Sequence, residues 1–201
     1  MTGREHTMAV ATKRKKPNTA DEYLALEASA AQKSEYYQGV IYAMSGASAN
    51  HNRSAGGMYT LLRMALRGRG CEVFTNDMRL LVEVSALYTY PDGLVVCGGP
   101  RFMPGRDDTI TNPVIIYEVL SPSSQDYDHR RKFEMYRTIA TLRDYVLIHQ
   151  DRAYIEYFHK QEDGRWILSE FAAVDDRLVL HSIGIELGLH DIYEGVDWLV
   201  A

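Results

Sequence analysis

The chain has 201 residues, 46% hydrophobic and 24% charged, with a formal net charge of −5. Those values suit one soluble globular domain with its own core, and they exclude a disordered chain and a polypeptide built of membrane spans. The acidic balance also argues against a protein that coats nucleic acid over its whole surface, although a local basic face is compatible with it, and an enzyme that gathers carboxylates around metal ions looks acidic until they are bound.

Residues 1–17 hold Lys13, Arg14, Lys15 and Lys16 with little apolar content, so they read as a flexible basic tail ahead of a single domain over residues 18–201. Thr19-Ala20-Asp21-Glu22 has the form of a capping box and predicts a first helix to about Ala30. Tyr36 to Met44 reads as a strand or hairpin arm bent at Gly39, and Ala47 to Arg67 as the longest helix, stopped by Gly68 and Gly70. Strands are predicted at Cys71 to Thr75, Met78 to Val84, Leu94 to Cys97 and Val114 to Leu120, with a long polar loop from Pro100 to Pro113. A helical pattern follows from Asp128 to Ala140, and the remainder is mainly β, with strands at Tyr145 to Ile148, Tyr154 to Phe158 and Trp166 to Phe171. No apolar run approaches the roughly 20 residues of a transmembrane helix, and the N-terminus lacks the apolar centre of a signal peptide. A cytoplasmic protein without membrane association is therefore expected. Cys71 and Cys97, the only cysteines, read as reduced core residues.

The most informative residue is Glu118, a carboxylate inside the apolar run Val114 to Leu120. Burying its charge is costly without a partner, so something cationic is expected beside it. Asp92 opens an earlier apolar run, although Pro91-Asp92-Gly93 alone is also a common turn signal. Asp128, Lys132 and Tyr136 are spaced four apart and share a helical face, where Lys132 either pairs with Asp128 in solvent or reaches Glu118. Two acids and an amine suit a divalent metal and hydrolytic chemistry. No P-loop, no His-Glu-x-x-His and no Gly-x-Ser-x-Gly frame is present, and His149, His159, His181 and His190 lack ligand spacing.

Taken jointly, Glu35-Tyr36, Gly39-Val40-Ile41, Met44 to Ser48, His51, Asp77, Tyr90-Pro91-Asp92, Glu118 to Ser123 and Lys132-x-x-x-Tyr136 resemble the Uma-two family within the PD-(D/E)xK nuclease superfamily. The resemblance spans roughly Thr19 to Val196. It implies a restriction-endonuclease-like core of mixed α/β type, in which a mixed central sheet is flanked by helices, with extra antiparallel strands towards the C-terminus. It further implies an endonuclease that hydrolyses DNA phosphodiester bonds with Mg²⁺ or Mn²⁺, with Asp92 and Glu118 as metal ligands. Glu35 matches an acidic residue that serves a second or outer metal position, although by itself it reads equally as a surface charge. The superfamily's usual lysine, two residues after the glutamate, is Leu120 here, and the resemblance moves its role to Lys132. His51 falls at the family's histidine position, as a phosphate contact or a backbone-satisfying group. Arg131, with Arg63, Arg67, Arg69 and Arg130, is a candidate for a basic substrate rim. Tyr-rich strands are compatible with a homodimer. The rival function is a non-catalytic nuclease-fold module that binds DNA or a protein partner.

Overall fold

Strand β8 (Ile115–Leu120) is buried along its whole length, so it must be covered on both faces, and the rest of the molecule is arranged to do this. The computed structural model describes residues 19–121 and 127–199, and the expected 1–17 tail lies outside them. α1 (Ala20–Glu27) starts on the expected capping box, with Thr19 accepting from the Glu22 amide and Glu22 bonding back to Thr19. The hairpin β1 (Ser34–Tyr37) and β2 (Val40–Ala43) turns through Gln38 and Gly39, both at positive φ. The long helix α2 (Ala49–Ala65) is capped by the Ser48 hydroxyl.

β3 (Cys71–Thr75), β4 (Arg79–Val82), β5 (Leu87–Thr89), β6 (Gly93–Cys97) and β7 (Thr109–Ile110) precede β8. After it come a single π-helical turn (Tyr127–Lys132), α3 (Phe133–Tyr136), β9 (Asp144–His149), β10 (Ile155–Lys160), β11 (Trp166–Phe171), β12 (Arg177–Leu180), β13 (Ile185–Gly188) and α4 (Leu189–Ile192).

The mixed α/β architecture is as expected, but its strands are shared between two larger sheets and a hairpin. A six-stranded sheet runs β11-β10-β9-β8-β6-β3, a five-stranded sheet runs β2-β1-β5-β4-β7, and β12 pairs with β13. Each larger sheet has one parallel pair, β8 with β9 and β4 with β7. Alternation along β8 sends Ile115, Tyr117 and Val119 into a core shared with α2, α4 and the β12–β13 hairpin. Ile116 and Leu120 enter a second core with Leu80, Val82 and Leu87 of the five-stranded sheet and with Tyr136. Glu118 has the parity of Ile116 and Leu120, so it points between the two sheets.

Two expectations are corrected. The helix from Asp128 to Ala140 is instead the π turn followed by the four residues of α3, after which the chain turns at Ile139 and Leu142. Cys71 and Cys97 are not reduced: they are register partners across β3 and β6, and a disulfide joins them. Their separation of 26 residues gave no hint of that register. Of the two readings of Pro91-Asp92-Gly93, the strand start holds and the turn does not. Gly93 is already in β6, and a Cβ there would lie 2.2 Å from the ring of its cross-strand partner Tyr117, so the glycine makes room for an aromatic side chain. Among the described residues no helix is long and apolar enough to cross a membrane.

Candidate active site

The β6–β8 register pairs Gly93 with Tyr117, and one step further brings Asp92 opposite Glu118. The two acids then lock each other. The Asp92 amide donates to Glu118 Oε2 at 3.2 Å, and Asp92 Oδ2 accepts from the Val119 amide at 2.7 Å. Glu118 is only 4% exposed. Burial pushes its carboxyl up to about 8, against the pull of the Lys132 ammonium.

Lys132 comes from the π turn, and its Nζ lies 3.2 Å from a carboxylate oxygen of each of Glu35, Glu118 and Asp128. Glu35 belongs to β1 in the other sheet. Its neighbour Tyr36 packs with Tyr88 and Tyr23 in a separate aromatic core, which turns Glu35 the opposite way, towards the Thr89 hydroxyl and Lys132. Lys132 thus joins the two sheets. Burial works to lower its pKa, but the surrounding carboxylates overcome this and hold it well above the ordinary lysine value. The Tyr136 hydroxyl donates to Glu118 Oε1 at 2.8 Å. His51, in the first turn of α2, places Nε2 3.2 Å from Asp92 Oδ2. Burial would lower the His51 pKa, yet the hydrogen bond and charge of Asp92 raise it above the usual value.

Four carboxylates, Glu35, Asp92, Glu118 and Asp128, therefore face Lys132 and His51. Asp128 is 3% exposed, and its Oδ1 is met by the Lys132 ammonium at 3.2 Å as an ion pair without hydrogen-bond geometry. Four carboxylates sharing one ammonium and one imidazole leave an excess of negative charge that a hard divalent cation would stabilise, and carboxylate oxygens suit Mg²⁺ or Mn²⁺.

A family model described as "Putative restriction endonuclease" (Uma2) matches residues 20–190. The chain belongs to the Uma2 family. It is 43% identical over 152 residues to "Uncharacterized protein sll1609" of Synechocystis sp., covering 76% of this chain and 86% of that one. It is 38% identical over 178 residues to "Uncharacterized protein slr1290" of the same organism, covering 88% and 91%. Among solved structures, one described as "a putative nuclease belonging to DUF820" from Anabaena variabilis superposes with a TM-score of 0.70 at 19% identity, over 88% of this chain and 98% of that one. At that identity the likeness shows the fold, which is nuclease-like.

Within this Uma2 chain the structure brings together Glu35, Asp92, Glu118, Lys132 and His51. Leu120, two residues after Glu118, lies on the same strand face and is buried in the second core, and the ammonium beside Glu118 arrives from the π turn. Arg131 is exposed with no ion pair among the described residues, and Arg130 is exposed as well. Arg63, Arg67 and Arg69 belong elsewhere: Arg63 is 12 residues along α2 from His51, about 18 Å at helical rise. Asp77 is exposed and pairs with Lys33, outside the cluster. Ser123 lies outside the described residues.

Asp128 and Tyr136 are members of the cluster that sequence reasoning named without assigning them a role, and their four-residue spacing to Lys132 was the available signal. His149, which has no ligand spacing along the chain, converges in space with His129 on Glu156. His159 instead bonds the buried Asp144.

Proposed function

We propose that this Uma2 protein is a metal-dependent endonuclease that hydrolyses phosphodiester bonds in DNA. The observation that carries this reading is the excess of buried carboxylate around a single lysine. Structural ion pairs tend towards neutrality, since each unbalanced buried charge is costly. Asp92 and Glu118 would hold Mg²⁺ or Mn²⁺, with Glu35 at an outer position. When bound, the ion supplies a Lewis acid for phosphate oxygens and acidifies water.

The protein side chains do the rest. Lys132 stays protonated, so it offsets charge growing on the scissile phosphate and orients water; it does not accept a proton. Tyr136 and the Asp92 amide hold the Glu118 carboxylate in place. Asp92 and His51 each have 14% of their side chain exposed, more than Lys132 or Glu118, so the phosphate approaches from their side. There α2 begins, with no acidic residue in its first turn, and its N-terminal end favours an anion. Arg130 and Arg131, exposed on the turn that carries Lys132, are the arginines nearest to it in the chain and are assigned to the DNA backbone.

Nicking of supercoiled plasmid in Mg²⁺ tests this reading. Wild type is expected to nick, chelator to stop it, and Asp92→Ala, Glu118→Ala and Lys132→Ala each to lower the rate at least about a hundredfold. Nicking that survives all three substitutions would overturn the assignment.

A further inference from the structure

The π turn that delivers Asp128 and Lys132 to the acidic cluster also delivers His129 to a different group. His129 Nε2 lies 3.0 Å from Glu156 Oε1, and His149 Nε2 lies 3.2 Å from the same oxygen. One ligand-capable atom from each of these three residues falls within 4.8 Å of the others. His149 is 4% and Glu156 8% exposed, while the His129 side chain is 25% exposed and provides a way in.

This group is separate from the acidic cluster. Glu118 pairs with Leu147 and Leu147 with Glu156, which places Glu156 two strands from Glu118, about 10 Å at sheet spacing.

We propose that His129, His149 and Glu156 form a second metal site, for a Zn²⁺-class transition ion, with water as the remaining ligand. Two imidazoles and a carboxylate are a borderline donor set that suits Zn²⁺ and not the hard ions expected at the acidic cluster. The spacing fits as well: with metal–ligand bonds of about 2.0–2.1 Å, neighbouring ligands of a tetrahedral ion stand about 3.3 Å apart, close to the two separations observed.

His149 Nδ1 lies 3.8 Å from Oδ1 of the exposed Asp151, beyond hydrogen-bond range. A ring ligated through Nε2 carries its proton on Nδ1, on the side of that carboxylate. An ion here fastens the π turn to β9 and β10, and so fixes the segment that presents Lys132.

Cobalt titration of chelator-treated protein tests the site without reference to cleavage. Wild type is expected to develop the visible bands of a four-coordinate Co²⁺ centre, saturating at one such centre per chain and displaced by Zn²⁺. His149→Ala and Glu156→Gln are expected to lose the bands, and Asp92→Ala to keep them. His129→Ala, on the partly exposed turn, leaves the fold intact, which circular dichroism checks, and is expected to abolish the bands. Absence of bands in folded wild type, bands that persist in folded His129→Ala, or bands lost in Asp92→Ala would overturn the proposal.

Discussion

Replacing Lys132 with methionine removes the ammonium while keeping much of the stem's volume, and the structure sets the size of the effect. Nζ stands 3.2 Å from three carboxylate oxygens, each contact worth about 5 kcal/mol of gross attraction at an effective dielectric of about 20. Most of that is offset by the desolvation of four buried charges, and losing one partner of a buried ion pair costs about 3–5 kcal/mol net. For a domain of this size the loss corresponds to a fall in Tm of about 6–20 °C. The penalty depends on pH in a definite direction. Without the ammonium the carboxylates relieve their repulsion by taking up protons, so the deficit of Lys132→Met is larger at pH 8 than at pH 5.5. Thermal unfolding of both proteins at the two pH values is the assay. A Tm unchanged within about 2 °C at pH 8, or a deficit that grows on acidification, would refute the reasoning.

Two further expectations follow from the same geometry. Burial raises the Glu118 carboxyl from its ordinary 4.5 to about 8, so below pH 8 divalent-ion binding at the acidic cluster must expel a proton. Calorimetry in buffers of different ionisation enthalpy should show that release at pH 7 and its decline by pH 9; for a raised acid, the group's contribution to metal-free stability is full below 4.5 and lost as pH rises through about 8. Gly93→Ala drives a methyl into the Tyr117 ring and should cost about 1–3 kcal/mol, read as a lower Tm, with Tyr117→Leu in the same chain restoring part of it. An unchanged Tm would show that the ring yields freely.

Much of the site was legible because its chemistry conflicts with its setting. An acid in the β-branched run of β8 signalled a buried partner, and the four-residue spacing of Asp128, Lys132 and Tyr136 survives even though the predicted helix is a π turn followed by the short α3. Such turns are rare in helices and recur at functional sites. Glu35 was legible only through the family resemblance, since β1 reaches the site from the second sheet and nothing local in Ser34–Tyr37 reveals that approach. The same limit hid the division into two sheets: β5 and β7 have three and two residues, too few for any periodicity. Pro91-Asp92-Gly93 left a turn open as an alternative to a strand start, and the sequence could not decide because Gly93 answers a cross-strand ring. The pairing of Cys71 with Cys97 and the convergence of His129, His149 and Glu156 depend on register between strands, or between a strand and a turn, and carry no signature in residue spacing.

The claim that the burial of Glu118 exists to hold a cation is tested most directly by an anomalous difference map from crystals soaked in Mn²⁺. A peak against the carboxylates of Asp92 and Glu118, lost in Glu118→Gln, is the expected result. A map with no peak there, or with manganese only at His129, His149 and Glu156, would contradict it.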